Sequence, residues 1–373
     1  MGDVMHVLSV VGTRPEAIKM GPVIRELSRR DGIVSRVCAT AQHREMLDQA
    51  LDLFGVVPDT DLDVMRSDQT PTDVAAAVLT GLQRLLARER FDWVIVQGDT
   101  TTAAAAAWAA YYGRVRVAHV EAGLRSGDKW QPYPEEINRR IVGVIADLHL
   151  APTQGARGHL LAEGVDESRI VLTGNPVVDA LRWVSDLPCD LSAGPLADLD
   201  WSKRILLVTA HRRENHGPPL RRICLALCEI AAAYRDDVQI VYPVHPSPRV
   251  AGPVHELLGG VPGVRLLPPL GYLEFVQLLK RSYLVLTDSG GVQEEAPGLG
   301  KPLLVLRETT ERPEAVAAGM AHLVGSDQGR LVSEVRRLLD DKRAYMGMAQ
   351  AANPYGDGHA ARRIVDALEA CGR

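Results

Sequence analysis

No apolar run in this 373-residue chain approaches the roughly 18–20 residues that span a bilayer, which excludes a membrane-spanning helix. The opening Met1–His6 lacks a basic n-region and leads directly into a β-branched run, so no secretory leader is expected. Cysteine is scarce: five residues, at positions 38, 189, 224, 228 and 371, are odd in number and scattered. Cys224 and Cys228 sit four apart in an apolar helical stretch (Ile223–Ala233) and read as packed, reduced thiols of a cytoplasmic protein. A large charge excess is also missing. Forty-two basic against 47 acidic residues leave −5, which argues against bulk binding of nucleic acid or an anionic membrane.

Three common motifs are absent too. No G-x-G-x-x-G follows the first apolar run, which argues against an ordinary NAD-binding domain. No G-x-x-x-x-G-K-[ST] occurs, since Gly300-Lys301 is followed by Pro302, which argues against a P-loop NTPase. His211 and His216 are five apart and do not form H-E-x-x-H, so no metal site is expected.

What is present is alternation. At roughly 150 residues per domain the length allows two to three domains. Apolar runs Val4–Val11, Val34–Thr40, Trp93–Gln97, Val115–Val120 and Leu148–Ala151 alternate with helical stretches such as Glu16–Arg30, Thr72–Arg90 and Thr101–Tyr112. A second series follows at Ile205–Thr209, Val238–Val244, Val264–Leu267, Leu284–Thr287 and Leu303–Leu306. Between the series, 185–203 is rich in Pro, Gly, Asp and Ser and reads as a linker. The pattern predicts an α/β protein of two doubly wound, Rossmann-like domains, 1–184 and 204–354, facing across a cleft. A last helix within 355–373 is expected to return toward the N-terminal domain. In parallel sheets ligands sit at the carboxyl ends of strands, so the residues just after each run are the informative ones.

Gly12-Thr13-Arg14-Pro15-Glu16, with Lys19 one turn on, can hold an anion at a helix N-terminus; a plain helix cap is the alternative. Gly98-Asp99 and Glu121 end the next two runs, and Glu135-Glu136 open a further helix. Asp99 could cap the alanine helix, and acids in a first turn suit the helix dipole. Three carboxylate positions on consecutive elements nevertheless form a candidate acid/base set. The second series supplies His211-Arg212-Arg213, then Ser289-Gly290-Gly291 at a helix start, where unobstructed N–H donors suit a pyrophosphate. Glu295 lies one turn on, where a carboxylate can accept two ribose hydroxyls, and Arg312 sits at another strand–helix junction.

Taken together, GTRPEAIKM, AQHREMLDQ, GDTTT, HVEAGLRSGD, PEEINRR, AHRREN, TDSGGVQEEAPGLGKP and TTERPEAV, in this order from Gly12 to Val316, resemble the non-hydrolysing UDP-N-acetylglucosamine 2-epimerases. The resemblance implies a GT-B fold, interconversion of UDP-GlcNAc and UDP-ManNAc with neither cofactor nor metal, and a homodimer. It further implies catalytic roles for Asp99, Glu121, Glu135 and His211. Arg14 and Lys19 would be nucleotide or phosphate contacts, Phe275 a uracil-side residue, Ser289, Gly290 and Gly291 the pyrophosphate cradle, Glu295 the ribose anchor and Arg312 a further contact. Gln42 and His43 match a segment through which a second UDP-GlcNAc activates many bacterial members. Asp68, where some members carry arginine, leaves such activation open in this chain. Other departures are Gln97 where histidine is common, His245-Pro246-Ser247-Pro248 for the usual HPNP, and Gly271-Tyr272 for Asp-Tyr. A hydrolysing epimerase that releases ManNAc and UDP, and a GT-B glycosyltransferase, are the rival expectations.

Overall fold

In the computed structural model, which describes residues 4–40, 44–66 and 68–372, the apolar runs become strands of two sheets in which every pair is parallel. The chain divides into two units, Met1–Ala180 with Tyr355–Arg373 and Leu181–Pro354.

The first unit holds seven strands: β1 (Met5–Val11), β2 (Ile33–Ala39), β3 (Thr60–Asp61), β4 (Trp93–Gln97), β5 (Arg116–Val120), β6 (Leu148–Ala151) and β7 (Ile170–Leu172). Their order is β3-β2-β1-β4-β5-β6-β7. The order reverses between β1 and β4, where Val7 is in register with Trp93 and where a doubly wound sheet opens its ligand crevice. The loops after these two strands carry Gly12 and Asp99. The helix Thr101–Tyr112 is lined with alanine, and Ala103–Ala107, Ala109 and Ala110 are all buried. Side chains this small let it lie between the helices Pro71–Arg88 and Glu135–Ile145 without displacing them. The last helix, Ala360–Cys371, packs on Arg14–Leu27. The Asp179 carboxylate caps it, accepting from the backbone N–H groups of Ala360 at 3.1 Å and Ala361 at 2.9 Å.

The second unit has β8 (Arg204–Thr209), β9 (Val238–Pro243), β10 (Val264–Leu267), β11 (Ser282–Thr287), β12 (Leu303–Val305) and β13 (Ala321–Leu323), in the order β10-β9-β8-β11-β12-β13. Its switch point lies between β8 and β11, which run on into Ala210-His211 and Asp288. Segment 185–203 belongs to this unit and contains a 3₁₀ turn, Gly194–Leu196. Cys224 is fully buried in the helix Pro218–Ala233, and Cys228 on the same helix is half-buried; neither is in a disulfide.

The sequence reading passed over β3, β7 and β13. They are two or three residues long and lie at or near sheet edges, too short for an alternation to register. Among the described residues no helix is long and apolar enough to cross a membrane.

Candidate active site

In the first unit, the turn after β1 is fastened by Glu16. Thr13 caps the helix Arg14–Leu27, Pro15 occupies its first turn, and Glu16 completes a capping box. The Glu16 carboxyl is almost fully buried; it accepts from the N–H groups of Gly12 at 2.9 Å and Thr13 at 2.7 Å and from the Thr100 hydroxyl at 2.6 Å. Burial pushes its pKa up, and those donors oppose the shift. Glu16 thereby ties the loop after β1 to the loop after β4. Thr100, rather than Asp99, caps the alanine helix, so the Asp99 side chain is released from that duty.

Asp99 instead pairs with Arg139, and its carbonyl accepts from Asn138 Nδ2 at 3.0 Å. Glu121, directly after β5, is 5% exposed and adopts φ +65°, the left-handed region that glutamate rarely enters. Such backbones cost on the order of 1–3 kcal/mol and persist where the surroundings over-determine them. Here the surroundings do: Lys19 Nζ lies 2.6 and 2.8 Å from the two Glu121 oxygens, Asn175 Nδ2 donates at 3.1 Å, and Gln97 Nε2 donates to Oε2. Lys19 is therefore a counter-ion of a carboxylate in this unit. Arg14 is half-exposed at the start of the same helix.

The adjacent acids Glu135 and Glu136 have different surroundings. Glu136 is fully buried, pairs with Arg139 and Arg140 and accepts from Ser126 N–H at 3.0 Å. Burial raises its pKa, but these donors outweigh burial and hold it below the usual glutamate range. Glu135 is half-buried, with Oε2 unpartnered, and lines a cavity of about 430 Å³ together with Thr13, Arg66, Gln69, Thr100 and Asn138. Under the turn, His119 sets its Nε2 2.8 Å from the Gly98 carbonyl; burial lowers its pKa to about 3. It is neutral at physiological pH.

In the second unit, Asp288 is fully buried and receives the backbone N–H groups of His211 and Arg212. The His211 ring stacks on His245 at 5.4 Å, and burial lowers its pKa against the pull of Asp288. Gly290 and Gly291 open the helix Gly290–Gly298. A Cβ on Gly291 would meet nothing, and one on Gly290 would lie 3.3 Å from the Arg212 guanidinium. An arginine thus borders a bare helix N-terminus, an arrangement suited to a phosphate. Glu295 is buried and accepts from the Tyr272 hydroxyl at 3.1 Å. Arg312 pairs with the buried Glu294, and Phe275 is half-buried on the helix Tyr272–Arg281. Gln42 and His43 lie outside the described residues.

Sequence reasoning missed Glu16, Gln97, Asn175, Tyr272 and Asp288 as members of these two clusters. The T-x-x-E spacing of a capping box was the available signal for Glu16. The others are polar residues whose roles depend on partners more than twenty positions away.

The family model for UDP-N-acetylglucosamine 2-epimerase matches residues 25–369. The chain is 52% identical over 371 residues to the UDP-N-acetylglucosamine 2-epimerase of Salmonella typhimurium, covering 98% of each chain. It is similar to the crystal structure of a putative UDP-N-acetylglucosamine 2-epimerase from Listeria monocytogenes, at 45% identity and a TM-score of 0.91, covering 99% of this chain and 96% of that one. The UDP-GlcNAc 2-epimerase of Neisseria meningitidis, solved bound to UDP-GlcNAc, is 44% identical with a TM-score of 0.89 and coverage of 98% and 100%.

Proposed function

The chain belongs to the UDP-N-acetylglucosamine 2-epimerase family, and we propose that it inverts C2 of UDP-GlcNAc without hydrolysis, by eliminating and re-adding UDP. The C2 hydrogen has no adjacent carbonyl to stabilise a carbanion, so direct removal is far too slow. Loss of UDP solves this. A carboxylate takes the C2 proton, the C2–H electron pair becomes the C1=C2 bond of a 2-acetamidoglucal, and the C1–O pair leaves with UDP. In return, a UDP oxygen attacks C1 while a carboxylic acid protonates C2 from the opposite face, giving UDP-ManNAc.

Such a route needs proton-transfer groups of opposite facing at the sugar, and donors at the leaving phosphate. Asp99, Glu121 and Glu135 are the proposed catalytic carboxylates. Lys19 beside Glu121 and Arg139 beside Asp99 keep negative charge tolerable there. The second unit's proposed share is the nucleotide: Ser289, Gly290 and Gly291 for the pyrophosphate, Glu295 for the ribose, Phe275 for the uracil, with Arg14 and Arg312 as further contacts. His211, neutral because burial lowers its pKa, donates a hydrogen bond to the departing UDP. The protein works in the cytoplasm as a homodimer.

The observation that carries the reading is Glu121: a buried carboxylate at a strand end, in a left-handed backbone, gripped by a lysine and two amides. Strain of this kind concentrates at functional sites. The test is proton NMR of the product from UDP-GlcNAc. UDP-linked ManNAc is expected; free ManNAc with stoichiometric UDP would overturn the non-hydrolysing route.

A further inference from the structure

We infer that Asp288 is a positioning residue that locks the His211–Asn215 loop to the Ser289-Gly290-Gly291 turn, so that imidazole and phosphate cradle are set by one buried carboxylate. The inference rests on the reading of this unit as the UDP-binding one.

Asp288 follows β11 immediately, and its N–H donates to the Thr209 carbonyl at 3.0 Å, continuing the sheet by one residue. Its carboxylate is 0% exposed. No arginine or lysine pairs with it among the described residues; the charge is met by N–H donors. Oδ2 accepts from His211 N at 2.9 Å, Arg212 N at 2.9 Å and Asn215 Nδ2 at 2.9 Å, and Oδ1 lies 3.0 Å from His211 N. A buried carboxylate is tolerated only when so satisfied. Asn215 uses its second amide hydrogen on the Leu306 carbonyl at 3.0 Å, which joins the end of β12 to the same knot. The loop is held from its other sides as well. The Tyr242 hydroxyl donates to the Ala210 carbonyl at 2.6 Å, and His216 Nε2 lies 3.2 Å from the His211 carbonyl.

Two consequences reach the chemistry. The carboxylate fixes the backbone from which the Arg212 guanidinium reaches toward Gly290. It also lies 3.8 Å from His211 Nδ1 and favours the charged imidazole, whereas burial first, and then His245, Arg212 and His216, oppose protonation. Asp288 therefore acts on UDP through His211 and Arg212 rather than by touching it.

Asp288→Asn is nearly isosteric but turns one oxygen into an N–H₂ group. In either orientation a donor then faces the donors of the His211–Asn215 loop. Two readouts follow in the purified full chain: UDP affinity by calorimetry, and the pH titration of the His211 ring by NMR, assigned with His211→Asn. Outer partners that orient the ligands of a metal are typically worth roughly 10–100-fold; Asp288 orients His211 and Arg212 in the same way, so a loss of UDP affinity of that order is expected. The His211 midpoint should move to lower pH, because the anion that favours its charged form is gone. UDP affinity and His211 midpoint both unchanged would overturn the proposal. If Asp288→Asn does not fold, Asn215→Ala takes its place. It removes one donor from the knot, and at least a threefold loss of UDP affinity supports the proposal while an unchanged affinity overturns it. A wild-type chain that binds no UDP would contradict the functional reading instead, and the His211 titration alone would then decide the role of Asp288.

Discussion

Replacing Lys19 by Met removes the cation from Glu121 while keeping the stem that packs beside it. Lys19 and Glu121 have side chains only 13% and 4% exposed, so their pair is not a surface ion pair of negligible worth. Breaking a buried pair from one side costs about 3–5 kcal/mol, because the remaining charge stays desolvated. Asn175 and Gln97 still donate to Glu121 in the variant, which favours the lower end of that range. For a unit of this size about 2–4 °C accompanies each kcal/mol, so the first unit's melting temperature should fall by roughly 6–12 °C. The double variant Lys19→Met, Glu121→Gln carries no stranded charge and should regain at least half of the loss. Calorimetric melts of the wild type, both single variants and the double variant close the thermodynamic cycle. A loss below about 1 kcal/mol in Lys19→Met, or a double variant no more stable than Lys19→Met alone, would refute the claim that the pair is buried and mutually dependent.

Asp99→Asn and Glu135→Gln should each lower turnover by roughly 10²–10⁴-fold, the usual worth of a positioned acid or base, with circular dichroism unchanged; a near-wild-type rate removes that residue from the proposed set. Gly123→Ala should abolish or severely weaken folding, since φ is +91° and a Cβ would lie 2.2 Å from the Ala156 carbonyl oxygen. Gly127→Ala, at φ +81° with nothing nearby, should cost only about 1 kcal/mol of left-handed strain, and equal melting temperatures for the two would contradict the packing described. Glu136 is held below its ordinary pKa in the folded state, so it adds stability that is complete at neutral pH and fades as pH falls through the carboxylate range. Glu136→Gln should therefore be clearly less stable than wild type at pH 7 in urea melts and approach it on acidification; a gap that widens at low pH would reverse that sign.

The carboxylates after β4 and β5 were legible because a parallel sheet needs buried apolar strands, and the first polar residue beyond such a run stands at the ligand-bearing edge. Trp93–Gln97 and Thr101–Tyr112 coincide with their elements for that reason. The left-handed backbone of Glu121 left no local signal, since nothing in Val-Glu-Ala requires it; it is enforced by Lys19 on the helix Arg14–Leu27, Gln97 at the end of β4 and Asn175 in the loop after β7. Neighbouring acids posed a related problem at the start of the helix Glu135–Ile145. Adjacent helical positions point about 100° apart, so one acid meets Arg139, Arg140 and Ser126 while the other faces a cavity, and the letters alone do not say which. Asp288 reads in sequence as one more polar residue before a glycine pair; its meaning appears once the sheet order brings β8 beside β11.

The central claim is that C2 loses and regains its hydrogen as a proton while the anomeric bond is open. Incubation with UDP-GlcNAc in D₂O, with no nicotinamide added and followed by proton NMR, tests it directly. UDP-ManNAc carrying deuterium at C2 is the predicted result. UDP-ManNAc that keeps the original protium at C2, or turnover that requires added nicotinamide, would contradict it.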